Sequence, residues 1–183
     1  MASITHSTRT KVTPYRSRGG TFDLRAFTPS TGISTATIAY GDVVQFDVNV
    51  ATANHRIVKA SSMANVPNVI STALVGVAVE ADANTIGDTV PTNQILICIG
   101  NKDTEFKFPT KLAGASHESS LVGRRKAIGY DSTLSMFYMD SANSTAGDAT
   151  LIVTEVIDAG TTNGYVAAKF ISTNVARLVS AAF

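Results

Sequence analysis

With 183 residues, the chain is long enough to enclose a well-formed hydrophobic core without the help of disulfide bonds. Charged residues make up only 16% of it and the net charge is +1, so overall charge indicates neither nucleic acid nor a membrane surface as a partner. The absence of Trp and the many Val, Ile, Ala and Thr residues favour pleated sheet over long helices.

The first twenty residues differ from the rest in charge. They hold four basic residues and no acidic one, so they carry +4 while the remainder carries −3. The basic residues are Arg9, Lys11, Arg16 and Arg18. Because this stretch is rich in Ser and Thr, it has too little apolar surface to form a core alone. We predict an extended basic N-terminal arm at 1–20 and a single β-rich body at 21–183. The arm is either a disordered tail or a segment that lies along an acidic protein surface.

Alternating patterns predict the first strands of the body. In 21–27, Phe22, Leu24 and Ala26 share one face of a half-buried strand, and Asp23 and Arg25 share the other. A second strand is predicted over 33–40. The turn Gly41-Asp42 leads into a strand at 43–50, which should form a hairpin with 55–60.

Two apolar runs follow. Ala73 to Glu80 is predicted as a strand, with Gly76 at a bulge or a close backbone approach. Ile95 to Ile99 is apolar throughout, which is typical of a central strand covered on both faces. It contains Cys98, the one cysteine, which we expect to be a small buried hydrophobe.

Residues 112–130 are the least β-like part of the body. Ser116 is a candidate N-cap, Glu118 lies in the first turn after it, and basic residues follow at 124–126, so we predict one short helix here. Arg124 and Arg125 then lie either at a solvated helix end or in an ion-pair patch between subunits.

The last third returns to strands at 133–139, 149–157 and 164–171, the final two joined by a loop that ends in Asn163-Gly164. Large side chains crowd 136–139, where alternation sends two of them outward. Met136 and Tyr138 are therefore candidates for a subunit interface, and the alternative is that both faces of this strand belong to the core. Gly41-Asp42 and Gly147-Asp148 are too short to establish an internal repeat.

Motifs for catalysis or cofactor binding are absent. The sequence contains neither a P-loop nor a dinucleotide-binding fingerprint, and His6, His55 and His117 have no second ligand at metal spacing. The neighbouring Ser116, His117 and Glu118 do not suggest a catalytic triad, because working triads are assembled from distant segments. We expect no enzyme activity, no cofactor and no bound metal. No apolar run approaches the roughly 20 residues that span a bilayer, so we expect no membrane partner.

Three segments of 40–80 resemble the head decoration proteins, or capsid cement proteins, of tailed bacteriophages. They are Gly41-Asp42-Val43-Val44, Ile57-Val58-Lys59-Ala60 and Leu74-Val75-Gly76-Val77-Ala78-Val79-Glu80. The shared features are a Gly-Asp turn before a strand, a short strand that ends in small residues, and a Val-Gly-Val-Ala strand.

The resemblance implies an all-β protein, a compact antiparallel barrel or sandwich, that binds the exterior of the phage head after synthesis in the host cytoplasm. It implies the major capsid protein as partner and a homo-oligomer, trimer or dimer, with no nucleic acid and no membrane. The resemblance transfers no site residues; by their charge, Arg9, Lys11, Arg16 and Arg18 would contact the capsid, and the candidates to lie between subunits are Met136, Tyr138, Arg124 and Arg125. A non-enzymatic tail, knob or host-attachment module of a virion is the alternative.

Overall fold

The computed structural model describes nine stretches of the chain, to which all structural statements below refer. They are residues 11–30, 38–47, 56–60, 74–81, 93–111, 119–132, 134–142, 149–158 and 164–171. Outside them lie Arg9, the three histidines, Gly147-Asp148 and most of the strand predicted over 33–40.

The described residues are organised in eleven strands, which confirms the predicted all-β class with antiparallel sheets. The strands are β1 (Thr13–Ser17), β2 (Leu24–Phe27), β3 (Val43–Phe46), β4 (Ile57–Lys59), β5 (Leu74–Ala78), β6 (Ile95–Ile99), β7 (Thr104–Lys111), β8 (Arg125–Asp131), β9 (Met136–Asp140), β10 (Leu151–Val156) and β11 (Tyr165–Phe170).

The first sheet joins β2-β6-β5-β3-β4 in that spatial order, and every neighbouring pair is antiparallel. Just beyond β2, Pro29 pairs in parallel with Ile57 of β4. Ile57 N donates to Thr28 O at 3.1 Å, and Ser30 N donates to Ile57 O at 2.8 Å. The first sheet therefore curves until the chain after its first strand meets its third strand.

The second sheet joins β7-β11-β10-β8-β9, with β1 added antiparallel to β7. It closes on itself in the same way, because β7 pairs in parallel with β9 through Thr110 with Met139 and Lys111 with Asp140. The result is a partly barrel-like sheet whose long first strand contacts three neighbours.

The two sheets share one topology. Numbered from its own first strand, each has the order 1-5-4-2-3, and in each the chain of strand 1 meets strand 3 in parallel. The dipeptides Gly41-Asp42 and Gly147-Asp148 are not the sign of this repeat, since the first precedes strand 2 of its sheet and the second precedes strand 4. The repeat consists of the shared strand order and does not involve the two dipeptides.

Two apolar clusters form the interior. One lies within the first sheet: Phe27, Ile38, Val44, Ile57, Val75, Ala78, Ile95, Ile97 and Ile99. The other combines the inward residues of the second sheet with one face of the first, and includes Phe106, Phe108, Phe137, Met139 and Phe170 together with Val43, Leu74, Val77 and Cys98. β6 is covered on both faces as predicted: Ile95, Ile97 and Ile99 enter the first cluster and Cys98 the second, while Leu96 is half-buried.

The short helix predicted in 112–130 is not present in its described part, residues 119–130. Ser119–Leu121 is a three-residue 3-10 turn, and Arg125–Asp131 is the strand β8. β8 pairs along its length with β9 and at its start with β10. These partners satisfy its backbone groups, and this outweighs the weak local preference for helix.

The second half of the predicted arm, residues 11–20, is part of the folded body. Val12 is fully buried in the larger cluster, and β1 pairs with β7 from Thr13–Lys107 to Ser17–Thr104. The boundary predicted at residue 20 therefore falls inside the fold. Composition misled here because β1 is stabilised by its partner strand and one buried side chain, and not by an apolar face of its own.

Candidate functional site

The Gly41-Asp42 turn combines two requirements that explain its residues. Gly41 has φ +80°, and a Cβ there would lie 2.9 Å from the Val12 carbonyl oxygen and against the Lys11 side chain. The Asp42 carboxylate Oδ2 accepts a hydrogen bond from Ala39 N at 2.8 Å, while Asp42 N donates to Ala39 O at 3.0 Å. The turn is thus closed by a side chain as well as by backbone bonds.

A buried ionic cluster begins at the same carboxylate. Lys59 Nζ lies 3.0 Å from Asp42 Oδ2 and 2.9 Å from Tyr130 Oη, and both charged side chains are almost wholly buried. The ammonium group also lies 4.5 Å from the Tyr130 ring centroid and 5.8 Å from that of Phe137. The lysine therefore ties the turn before β3 to β8 and β9 of the second sheet.

This cluster is suited to holding the sheets together. A buried ion pair requires hydrogen bonds and good geometry to offset its desolvation, and here the lysine has a carboxylate, a phenol and two aromatic rings around it. Asp42 Oδ1 has no hydrogen-bond partner among the described residues. Asp42 and Lys59 come from two of the segments that carry the sequence resemblance, and the fold brings them into direct contact.

The predicted capsid-contact residues have different environments. Arg16 Nη2 lies 2.7 Å from Glu105 Oε2 and 2.8 Å from Glu155 Oε2, and the hydrogen bond to Glu105 raises the pKa of the guanidinium. Lys169 Nζ approaches Glu105 at 3.6 Å. Two cations thus face two carboxylates, and Arg16 adds little free charge to the surface.

Arg18 and Lys11 complete the described part of that set. Arg18 is exposed, forms no ion pair with a described residue, and uses its backbone N to donate to Asp103 O at 3.0 Å. Lys11 is half-buried beside the Gly41 turn. The structure thus separates four residues that the sequence grouped by charge.

The proposed interface residues of β9 divide in the same way. Met136 is only 4% exposed, so it belongs to the interior and the interface assignment is wrong for it. Tyr138 is half-buried over Gly129, where burial and the nearby Asp140 and Asp131 raise the pKa of its phenol. Pairing with β7 and β8 uses both edges of β9, while Phe137 and Met139 enter the larger apolar cluster.

Arg124 and Arg125 lie on the surface where the 3-10 turn enters β8. Val122, 48% exposed, precedes them, and Gly123 has φ +80°. Gly123 N donates to Val153 O at 2.8 Å, and Val153 N donates to Arg124 O at 3.0 Å, so this turn is anchored on β10. Neither arginine forms an ion pair with a described residue. The turn therefore presents one apolar side chain and two available positive charges.

An exposed apolar strip on β2 is the feature that the sequence reading missed. Leu24 is 46% exposed, Phe22 is 38% exposed and Ala26 is also exposed, although alternation placed all three on the apolar face. Phe27, at the end of the strand, is buried instead. The sequence does show that Phe22, Leu24 and Ala26 form one apolar face. Alternation alone does not show whether other residues of the chain cover that face.

Other kinds of site have no support within the described ranges. No group of three or more His, Cys, Asp and Glu side chains there could hold a metal ion, and no described helix is long and apolar enough to cross a membrane. Cys98 is buried, and burial raises the pKa of its thiol to about 12. No protein-family profile, curated protein or solved structure matches the chain.

Proposed function

We propose that the protein is a capsid decoration, or cement, protein of a tailed bacteriophage, located on the exterior of the head, where it bridges major capsid subunits. The observation that carries the proposal is the joining of the three resembling segments into one unit. They contribute β3, β4 and β5, which are neighbours in the sheet, and the Asp42–Lys59 pair connects two of them. The segments that carry the resemblance therefore form one contiguous part of the sheet, which supports the proposal.

A cement function requires a rigid body that makes moderate contacts at many equivalent positions. Here the sheets share one apolar cluster, and Lys59 connects them at Tyr130, which supplies rigidity. Binding at symmetry-related positions on a shell then multiplies modest single-site affinities. The protein works through contact area, and no catalytic residue is required.

The exposed basic residues are the candidate contacts with an acidic capsid surface. Arg18, Arg124 and Arg125 are exposed and make no ion pair with described residues, and Val122 adds apolar area beside two of them. Arg16 is a weaker candidate than its charge suggests, because Glu105 and Glu155 already surround it.

The proposal is tested with heads of the phage that encodes the protein. The full chain is incubated separately with expanded empty heads and with unexpanded procapsids, and bound copies are counted after sedimentation. We expect binding to expanded heads in a copy number comparable to that of the major capsid protein, together with greater resistance of the heads to heat. Binding to tails, or a low copy number at one vertex, would instead favour the attachment-module alternative.

Charge variants test the contact surface within the same assay. The double variant Arg124→Glu/Arg125→Glu should lose most of its binding, and more so at low salt, because like charges then face the shell. Arg16→Gln is the matched control and should bind almost normally. Equal binding by the double variant and the wild type would remove this turn from the contact surface.

A further inference from the structure

Along Leu24 and Ala26, the outer edge of β2 has backbone groups for antiparallel pairing that no described strand uses. Ile99 N donates to Asp23 O at 2.8 Å, and Arg25 lies opposite Ile97, so alternate residues beginning at Asp23 direct their backbone groups toward β6. Leu24 and Ala26 then direct theirs the other way. The Ile57 bonds to Thr28 and Ser30 lie on that same outer edge, and they cover only its far end.

The second sheet shows what belongs at this edge. β7 is the equivalent first strand, and β9 covers its far end at Thr110 and Lys111, as Ile57 does beside Pro29. The near half of the same β7 edge is covered by β1, an antiparallel strand that pairs with 104–107. The topology therefore provides one strand-binding position beside the first strand of each sheet. Within the described chain, β1 fills the position in the second sheet, and no described strand fills the one in the first sheet.

The side chains along the open edge suit a covered position. Phe22, Leu24 and Ala26 form an exposed apolar strip on one face, while Asp23 and Arg25 lie on the other and form an ion pair at 3.0 Å. Edge strands with exposed apolar side chains are templates for strand addition. Covering this edge would bury the strip and satisfy the outward backbone groups together.

We propose that β2 of a second copy of this chain fills this position, pairing antiparallel across a two-fold axis at Leu24. In that register each Asp23 lies opposite Arg25 of the other copy, Leu24 meets Leu24, and each Phe22 meets Ala26. Asp23 and Arg25 fall at the closer, non-hydrogen-bonded pairs, where cross-strand charges interact most strongly. The segment 22–26 is thus complementary to itself in both charge and apolarity.

The neighbouring registers are disfavoured by the same charges. Only the residues whose backbone groups point outward, such as Leu24 and Ala26, can form hydrogen-bonded pairs. One strand can therefore slide along the other only in steps of two residues. One such neighbour is centred on Asp23 and sets aspartate against aspartate. The other is centred on Arg25 and sets arginine against arginine. Like charges directly opposite one another destabilise a strand pair, so the Leu24-centred register is selected.

The resulting dimer has an isologous interface, in which the same segment of both copies makes the same contacts. The first sheets of the two copies would then join into one continuous sheet through the paired β2 strands. The inference does not depend on the capsid proposal, because it is tested on the purified protein alone; failure of one leaves the other standing.

Charge exchange between two variants is the decisive experiment. Asp23→Arg and Arg25→Asp are purified separately, and each is examined by sedimentation equilibrium alone and in an equimolar mixture. Either variant alone sets like charges opposite each other twice, which should raise the dimer dissociation constant by about tenfold or more. In the mixture every introduced charge faces its opposite, so heterodimers should form with nearly wild-type affinity.

This rescue distinguishes pairing across the axis from an effect on folding. Both side chains are well exposed, so each variant should retain the wild-type circular dichroism and thermal midpoint. A wild-type chain that stays monomeric at high concentration would overturn the proposal. So would variants that dimerise normally, or a mixture that does not recover.

A crosslinking pair tests the register independently. Leu24→Cys brings two thiols to a hydrogen-bonded pair about 5.5 Å apart at Cα, within reach of a short bis-maleimide. Ala26→Cys is the matched control, since its two thiols would be four residues apart along the strands, about 13 Å. Cys98 is buried and should not react. Efficient crosslinking of Leu24→Cys alone supports the register, and equal crosslinking of both variants contradicts it.

Discussion

The two sheets have the same strand order, yet they differ at the outer edge of the first strand. In the second sheet β1 covers that edge, and Arg16 of β1 meets Glu105 of β7 across the pair. In the first sheet the matching segment of β2 presents Leu24 and Ala26 without a described partner strand. The shared topology creates a strand-binding position in each sheet, and the chain segment that precedes both sheets, β1, fills that position internally only in the second.

The sheets also differ in how they use buried charge. Asp42 and Lys59 are the buried charged residues of the described chain, and both belong to the first sheet. The buried polar residues of the second sheet are neutral, as in Thr110, whose hydroxyl donates to Gly164 O at 3.0 Å. The buried ammonium group of Lys59 in the first sheet has a hydrogen-bond acceptor in the second sheet, the Tyr130 hydroxyl.

The largest expected effect comes from breaking that ion pair. Lys59→Met leaves the Asp42 carboxylate buried without a cation, and the free energy of unfolding should fall by about 3–5 kcal/mol, measured by urea denaturation. The double variant Asp42→Asn/Lys59→Met removes both charges while keeping an acceptor for Ala39. It should recover much of the loss. No recovery would mean that Lys59 stabilises mainly through the aromatic rings.

The turns at Gly41 and Gly123 differ in the space around the glycine. Gly41 and Gly123 both have φ +80°, but a Cβ would contact Lys11 and Val12 at the first position and nothing within 4 Å at the second. Gly123→Ala should cost about 1–2 kcal/mol from the left-handed backbone alone. Gly41→Ala should cost about 1–3 kcal/mol more through overpacking. Equal losses in thermal denaturation would show that the packing of Lys11 against this turn relaxes freely.

The attachment of β1 is tested at Val12, the buried residue that directly precedes the strand. Val12→Ala should lower the free energy of unfolding by about 1–3 kcal/mol, because it removes methyl groups from the larger apolar cluster and leaves a cavity. Tyr15→Ala, at an exposed position within β1, is the control and should cost less. If Val12→Ala were neutral, residues 11–20 would be better described as part of the originally predicted arm.

The smallest effect is expected at the surface charges of β1. Arg16→Ala removes a partly exposed arginine from Glu105 and Glu155, so the loss should be about 0.2–1 kcal/mol. Because salt screens exposed pairs, that loss should shrink in 1 M NaCl, where the Debye length is about 3 Å. Arg18 forms no ion pair with a described residue, so Arg18→Ala should be neutral at both salt concentrations.

Local sequence patterns predicted much of the strand content and little of the surface. The hairpin of β3 and β4, the doubly buried β6, buried Cys98 and the pairing of β10 with β11 are all confirmed, because each depends on apolar alternation, an apolar run or a turn near in sequence. The helix before Arg125, the interface assignment for Met136 and the boundary at residue 20 did not match the structure. Each depended on which distant strand lies alongside.

The all-β class, the turn at Gly41 and the self-complementary run from Phe22 to Ala26 can be read from the amino-acid sequence. These follow from side-chain size, backbone freedom and the order of charges, which are local properties. The repeated topology of the two sheets, the contact of Lys59 with Tyr130 and the exposure of the apolar face of β2 arise only in the folded chain. Those outcomes depend on strand pairings between residues far apart in the chain, and no local pattern specifies which partners meet.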